Sequence, residues 1–260
     1  MQACRLLSFL ICISILIGWS ALEAAPLCQS YYKNPGYSNF LAASDEMIED
    51  LSKTKDVQEQ QHAFDTTSIF IAHVMRQNPE QLTQMLEGFS GFSFYKKAAY
   101  LRAMQAAGIK ERHLEKGLDK ELEQRAYSPP PLSLSALNPF FFKEGNQIDF
   151  LWVSFFATGH KTYIHQILEN LNKDKRLLAL AWNVFSKHLN NAQGGEDSYL
   201  NDFIQTTLSL SEDDRPQFLI VSNALFSLTS HAKQDSSIYE IIEEITQENE
   251  SLNFLKNAQS

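Results

Sequence analysis

The chain has 260 residues, with 31 acidic and 22 basic side chains and a formal net charge of −9. This acidic excess disfavours binding to nucleic acid or to an anionic membrane surface, because both require clustered Lys and Arg. The length without a leader is still sufficient for one or two hydrophobic cores.

Residues 1–24 have the pattern of a secretory signal peptide. A basic start ending at Arg5 is followed by the uncharged run 6–22 and by the small residues Ala24 and Ala25. The uncharged run is shorter than the roughly 20 residues of a membrane-spanning helix, so a retained anchor is the less favoured alternative. We predict cleavage between Ala24 and Ala25, secretion or periplasmic delivery, and no stable membrane insertion afterwards.

One cysteine, Cys28, would remain after removal of Cys4 and Cys12 with the leader. An exported protein with a single cysteine has no internal disulfide framework. Export without disulfides is more typical of bacterial proteins. Chain termini are usually mobile, so we interpret Cys28 as a free or occasionally dimer-forming thiol rather than a catalytic one. A bacterial lipid anchor is disfavoured, because Leu27 stands where such a signal has a small residue.

Residues 25–127 form a predicted N-terminal helical half, because their apolar residues recur at helical spacing. In "SNFLAASDEMIEDLSK" the apolar face comprises Phe40, Leu41, Met47, Ile48 and Leu51. Further helices are predicted for "FDTTSIFIAHVMRQNP", for "PEQLTQMLEGF", for "FYKKAAYLRAMQAAG" up to a C-cap at Gly108, and for 110–125.

Residues 128–139 are predicted to connect the two halves. Three prolines, Pro129–Pro131, cannot lie inside a helix and should be extended. The pattern leaves open whether the connector separates two domains or crosses one continuous domain.

Residues 140–260 form the predicted C-terminal helical half, and its first helix is apolar on much of its circumference. Ile148, Leu151, Trp152, Phe155 and Phe156 follow helical spacing, and a second apolar stripe lies beside them. Aromatic residues at this spacing are typical of a core, which we favour over a binding pocket. Gly159 is predicted to end the helix.

The remaining C-terminal segments also predict helices. They are "HKTYIHQILENL", "KRLLALAWNVFSKHL", "SYLNDFIQTTLSL", a helix capped near Ser211 with Pro216 in its first turn, and "SSIYEIIEEITQENESLNFL". A polar stripe of Asn223, Ser227 and Ser230 indicates hydrogen bonds between helices. The predicted fold class is all-α, either a multi-helix bundle or an irregular helical-hairpin array, without a substantial sheet.

The C-terminal half resembles a loosely defined group of exported all-helical bacterial proteins. The resemblance rests on "IDFLWVSFFATGHKTYIHQILENL", with its D-x-L-W-x-x-F-F-A-T-G segment, and on "VSNALFSLTSHAKQD". The chain departs from the group around "LALAWNVFSKHL". The resemblance implies an all-helical fold and a bacterial source, and it implies no catalytic residue.

No set of catalytic, cofactor-binding or metal-ligating residues is predicted, and no cofactor. His160 and His165 are five residues apart, unlike the i, i+4 pair of a helical zinc site. Five further histidines are isolated in sequence, namely His62, His73, His113, His188 and His231. "GGED" lacks the Lys-Ser/Thr ending of a phosphate-binding loop, and "GFSGF" lacks the strand that precedes a nucleophile elbow.

Two classes of function therefore remain. The favoured one is an exported, non-enzymatic binding or interaction protein, whose partner is an unknown protein or small ligand. The alternative is a secreted hydrolase whose catalytic groups are distant in sequence. A deep pocket with perturbed acids or histidines would favour the hydrolase.

The leader gives a first testable prediction. A variant that starts at Ala25 behind a new initiator Met should remain in the cytoplasm, because translocation requires the basic and apolar regions of the signal. Cell fractionation and immunoblotting measure this, with the full chain as control. Unchanged export of the shortened chain would contradict the signal-peptide interpretation.

Overall fold

A computed structural model describes residues 26–110, 119–127, 134, 146–190 and 196–247. These residues contain helices and no strand, which confirms the predicted all-α multi-helix fold. The leader, the three prolines of the connector and residues 191–195 lie outside these ranges.

The chain divides into two compact units. The first unit comprises Met1–Ala136 and Val153–Gly159, and the second comprises Leu137–Trp152 and His160–Ser260. The helices before residue 136 are α1 Pro26–Ser30, α2 Tyr37–Lys53, α3 Val57–Gln77, α4 Leu82–Met85, α5 Phe94–Ala107 and α6 Lys120–Tyr127. They are followed by α7 Asn146–Thr158, α8 Thr162–Leu171, α9 Lys175–Asn190, α10 Glu196–Ser209, α11 Asp214–Gln234 and α12 Ser236–Gln247.

Helix α3 is the centre of the first unit. Every residue from Thr66 to Met75 is buried, so this part of the helix is covered on all sides. Helices α2 and α5 pack against it, and α6 packs against α5. The start of α3 is fixed by Asp56, whose carboxylate accepts hydrogen bonds from the backbone N–H groups of Gln58 and Glu59.

The prediction of one helix in "PEQLTQMLEGF" is wrong. The segment forms a 3-10 turn at Pro79–Gln81, the four-residue α4, and a second 3-10 turn at Phe89–Gly91. Gly88 separates them with a φ of 71°, a left-handed conformation that ends a helix and that glycine adopts without strain. Met85 and Phe89 are nevertheless buried, as the apolar pattern predicts.

The end of α5 and the start of α6 can be compared with the helices that the sequence predicts there. Gly108 has a φ of 74°, and a Schellman motif forms when its N–H bonds to the Gln105 carbonyl and the Ile109 N–H to the Met104 carbonyl. The predicted helix 110–125 is described only from residue 119 onward, and there it begins at Lys120. Residues 111–118 lie outside the described part of the chain.

The aromatic stretch of α7 is core, as predicted. Ile148, Leu151, Trp152, Phe155 and Phe156 are all at most 3% exposed, and Gly159 ends the helix with a φ of 69°. Within the first unit the Phe155 ring lies 4.6 Å from that of Tyr32.

In the second unit, helix α11 packs against α8, α9, α10 and α12. Its start is capped as predicted, because the Ser211 hydroxyl accepts a hydrogen bond from the Asp214 N–H and donates one to the Asp214 carboxylate. The predicted polar stripe contributes one bond between helices, in which Trp152 Nε1 donates to Ser227 Oγ over 3.0 Å.

Trp152 gives the prediction for this core. Trp152→Ala should lower the free energy of unfolding by about 3–5 kcal/mol, because the neighbouring side chains cannot fully close the void. Urea or guanidinium melts measure this loss. His160→Ala, at an exposed position just after Gly159, is the control and should change stability by at most about 0.5 kcal/mol. A wild-type midpoint for Trp152→Ala would contradict the core assignment.

Candidate functional site

A groove of about 460 Å³ in the first unit is the strongest candidate for a site. Three helices supply its lining: α3, α5 and α6. The lining residues are Gln60, Gln61, Phe94, Tyr95, Glu121, Gln124 and Arg125.

The caps of α5 and α6 help to position the lining. The Ser93 hydroxyl accepts a hydrogen bond from the Lys96 N–H, so that Phe94 and Tyr95 are the first two residues of α5. The Asp119 carboxylate accepts one from the Leu122 N–H and so fixes the first turn of α6. Since α3 is capped by Asp56, all three helices that line the groove have a capped start.

The guanidinium of Arg125 is held in place by neutral groups. Its Nη1 donates to Gln61 Oε1 over 3.4 Å and its Nη2 donates to Gln60 Oε1 over 3.3 Å. Its guanidinium carbon lies over the Phe64 ring, 4.7 Å from the ring centroid. Both hydrogen bonds are long, and Nε is buried without a hydrogen-bond partner among the described residues. Arg125 is therefore well oriented and incompletely bonded.

The hydrogen bonds donated by the NH₂ groups of Gln60 and Gln61 fix the orientation of the two side-chain amides. Gln60 Nε2 donates to the Thr54 carbonyl and to the Tyr95 hydroxyl, over 3.0 and 3.2 Å. Gln61 Nε2 donates over 3.1 Å to Asp65 Oδ1. Because each NH₂ group faces an acceptor, each carbonyl oxygen is left to face Arg125.

The half-buried carboxylate of Asp65 pairs with a different arginine, Arg102. Asp65 Oδ1 accepts a hydrogen bond of 2.7 Å from Arg102 Nε, and the Arg102 side chain is 1% exposed. A guanidinium buried to this degree needs a charged partner, so Asp65 is committed to Arg102. Arg125 has no acidic partner within ion-pair distance in the described part of the chain.

Glu121 supplies the negative charge of the groove. It lies four residues before Arg125 on α6, a spacing and orientation that usually favours an ion pair along a helix. No such pair forms, because the two glutamines and Phe64 hold the guanidinium elsewhere. Glu121 and Arg125 thus line the groove as two separate charges.

Sequence reasoning did not single out this groove. It treated 110–125 as a helix with a polar surface, and the Glu121–Arg125 spacing resembles an ordinary surface pair. The only signal was local, in the four consecutive polar residues "QEQQ" in the first turns of α3, before its apolar part. The contacts that isolate Arg125 come from one helix, α3, which lies more than 60 residues earlier in the sequence.

A serine–histidine pair is also present in the first unit, but it is closed to solvent. His73 Nε2 lies 2.9 Å from Ser154 Oγ. The residues are 6% and 0% exposed, so no substrate can reach the hydroxyl in this conformation. The pair satisfies two buried polar groups in the core.

The structure corrects the expectation that Cys28 lies in a mobile N-terminal segment. It is fully buried in α1 and not part of a mobile terminus. Burial, and secondarily the carboxylate of Glu46, raise the pKa of its thiol well above the usual value. In the folded chain Cys28 is therefore inaccessible for a disulfide between two copies.

The histidines whose side chains are described do not converge on a metal site. His165 Nδ1 lies 3.3 Å from Glu169 on the same helix, and His160 is exposed. Within the described ranges no three metal-ligating side chains of the His, Cys, Asp or Glu type come together. The side chains of His113 and His188 lie outside those ranges.

His231 in the second unit is the histidine with the most altered environment. Its ring centroid lies 4.3 Å from that of Trp152. Burial lowers the pKa of His231 to about 4, and the charge of Asp235 opposes this only in part. The imidazole is therefore neutral at pH 7 in the folded chain and resembles a core residue more than an acid–base catalyst.

This burial predicts a loss of stability in acid. The pKa of His231 is lower in the folded chain than in the unfolded chain, so the folded state binds fewer protons between about pH 6.5 and 4. Stability is complete above pH 6.5, and lowering the pH to 4 should cost about 3 kcal/mol at this residue. His231→Gln should remove that part of the acid dependence in denaturant melts from pH 7 to 4. His165→Gln, on the surface, is the control and should keep the wild-type slope.

Comparison with known proteins adds no assignment. No protein-family model matches the chain, and neither a curated protein nor a solved structure shows significant similarity to it. Among the described helices, none is long and apolar enough to cross a membrane.

Proposed function

We propose that the protein is an exported, non-enzymatic binding protein whose groove among α3, α5 and α6 holds a small ligand through an anionic group. Export rests on the signal-peptide pattern of residues 1–24. Binding rests on one observation, the guanidinium of Arg125 that is oriented by neutral groups and has no acidic partner among the described residues.

Arg125 has the properties of a group prepared for an anion. Its plane is fixed by Phe64 and two glutamine oxygens, so little conformational entropy is lost when a ligand binds. Only two of its five N–H donors are used, and both bonds are long. A carboxylate matches such a planar donor set and can bind it with two parallel hydrogen bonds.

The remaining lining suits a small molecule. The groove volume of about 460 Å³ falls in the usual range for ligand sites. Phe94 and Tyr95, with ring centroids 5.6 Å apart, offer an aromatic wall. The Tyr95 hydroxyl accepts from Gln60, and its own proton is left to donate to a ligand.

The side-chain chemistry supports binding over hydrolysis. Among the seven lining residues there is no serine, cysteine or histidine that could act as a nucleophile or general base. The described serine–histidine pair is buried elsewhere in the unit. The groove thus supplies charge, amides and aromatic rings, and its seven lining residues include no nucleophile paired with a histidine.

Arg125→Met tests this proposal. We use 3-phenylpropanoate as a probe that carries one carboxylate and one aromatic ring, and follow it by calorimetric or NMR titration. The substitution should weaken binding at least about tenfold, since a hydrogen bond to a charged group contributes about 1.5–3 kcal/mol. Methionine can still pack against Phe64, and a thermal melt checks that the variant folds.

Arg176→Met is the matched control for this experiment. Arg176 is an exposed arginine of the second unit that pairs with Asp214, so its removal should leave the affinity unchanged. Equal binding by Arg125→Met and the wild type would refute the assignment of the anion to this groove.

A further inference from the structure

We infer that the ligand is a zwitterion of the α-amino-acid type, whose carboxylate binds Arg125 and whose ammonium group binds Glu121. This inference rests on the proposed function and deepens it, because it assigns a second charge to the same ligand. It follows from the presence of both charges in one groove without an ion pair between them.

The geometry of α6 places the two charges side by side. Residues four apart on a helix lie on the same face, with about 5–6 Å between their Cβ atoms. Arg125 turns toward α3, where Gln60, Gln61 and Phe64 hold it. Glu121 is exposed and pairs with no described residue, so its carboxylate is left to face a ligand cation.

The charge balance of the groove favours a zwitterion over a simple anion. Arg125 and Glu121 are the only charged members of the described lining, so their formal charges cancel. A ligand with a carboxylate alone would gain from Arg125 and be repelled by Glu121 at short range. A ligand with both charges satisfies both residues, and its own charges are separated by a single carbon atom.

The aromatic wall indicates where the side chain of the amino acid lies. Phe94 and Tyr95 are half-buried members of the lining, and they offer ring faces and edges to an apolar or aromatic group. Gln124, exposed on α6, adds an amide at the rim. The class expected is therefore an α-amino acid with an aromatic or large apolar side chain.

Three matched probes separate the contributions of the two charges. L-Phenylalanine carries both charges, 3-phenylpropanoate lacks the ammonium group, and 2-phenylethylamine lacks the carboxylate. Titrated against the full mature chain, L-phenylalanine should bind at least tenfold more tightly than either of the other two. The other proteinogenic amino acids are tested beside it, to cover a preference for another side chain.

Glu121→Gln distinguishes the roles of the two charges on the protein. It should weaken the binding of L-phenylalanine at least fivefold, because it removes an attraction to the ammonium group. It should strengthen the binding of 3-phenylpropanoate, because it removes a repulsion from the carboxylate. Arg125→Met should weaken the binding of both probes. Glu123→Gln changes an exposed acid of the same helix outside the lining, and it should affect neither.

The outcomes separate the two proposals. If 3-phenylpropanoate binds through Arg125 as tightly as every amino acid tested, and Glu121→Gln weakens no amino acid, the zwitterion is refuted and the anion-binding groove stands. If no probe binds, or if Arg125→Met changes no affinity, both proposals are refuted. Opposite effects of Glu121→Gln on the two probes, with none from Glu123→Gln, support the zwitterion.

Discussion

The ion pair between Arg102 and Asp65 determines the character of the groove. Arg102 lies in α5 with 1% of its side chain exposed, and an unpaired guanidinium at that depth would be very costly. Asp65 on α3 satisfies it, and the same Asp65 oxygen accepts the Gln61 NH₂ group. The amide of Gln61 must then present its oxygen to Arg125, so the buried pair orients the second arginine without neutralising it.

Phe64 brings the two arginines into one cluster. The guanidinium carbons of Arg102 and Arg125 lie 5.7 and 4.7 Å from its ring centroid. Asp65 accepts a hydrogen bond from Arg102, whereas the described hydrogen bonds of Arg125 go to glutamine oxygens. The long bonds to glutamine oxygens offset part of the desolvation of Arg125 and none of its charge. A carboxylate bound next to Arg125 would lower the electrostatic energy of this guanidinium, which is the physical reason to expect one there.

Local patterns predicted the elements well and the site poorly. Helical spacing identified the core of α7, and the positions of Gly108 and Ser211 predicted a helix end and a helix start. The turn at Gly88 was missed because the apolar spacing around it continues as in a helix, although the backbone does not. Cys28 was expected at a mobile end and lies in the core. Arg125 could not be distinguished from a surface residue in the sequence. The partners that hold it away from Glu121 belong to α3, and only the fold brings α3 next to α6.

The low intrinsic stability of the short helix α6 connects the groove to the stability of the first unit. The helix has eight residues, and only Leu122 and Ala126 are buried. An isolated helix of that length does not form in water, so its position depends on packing against α5 and on the contacts that Arg125 makes with α3. A ligand that bridges Arg125, Tyr95 and Glu121 would add contacts across these same helices and would bind the docked α6 in preference to a detached one. Occupation of the groove by such a ligand and the docking of α6 would therefore be thermodynamically linked, and the incompletely bonded Arg125 is the residue common to both.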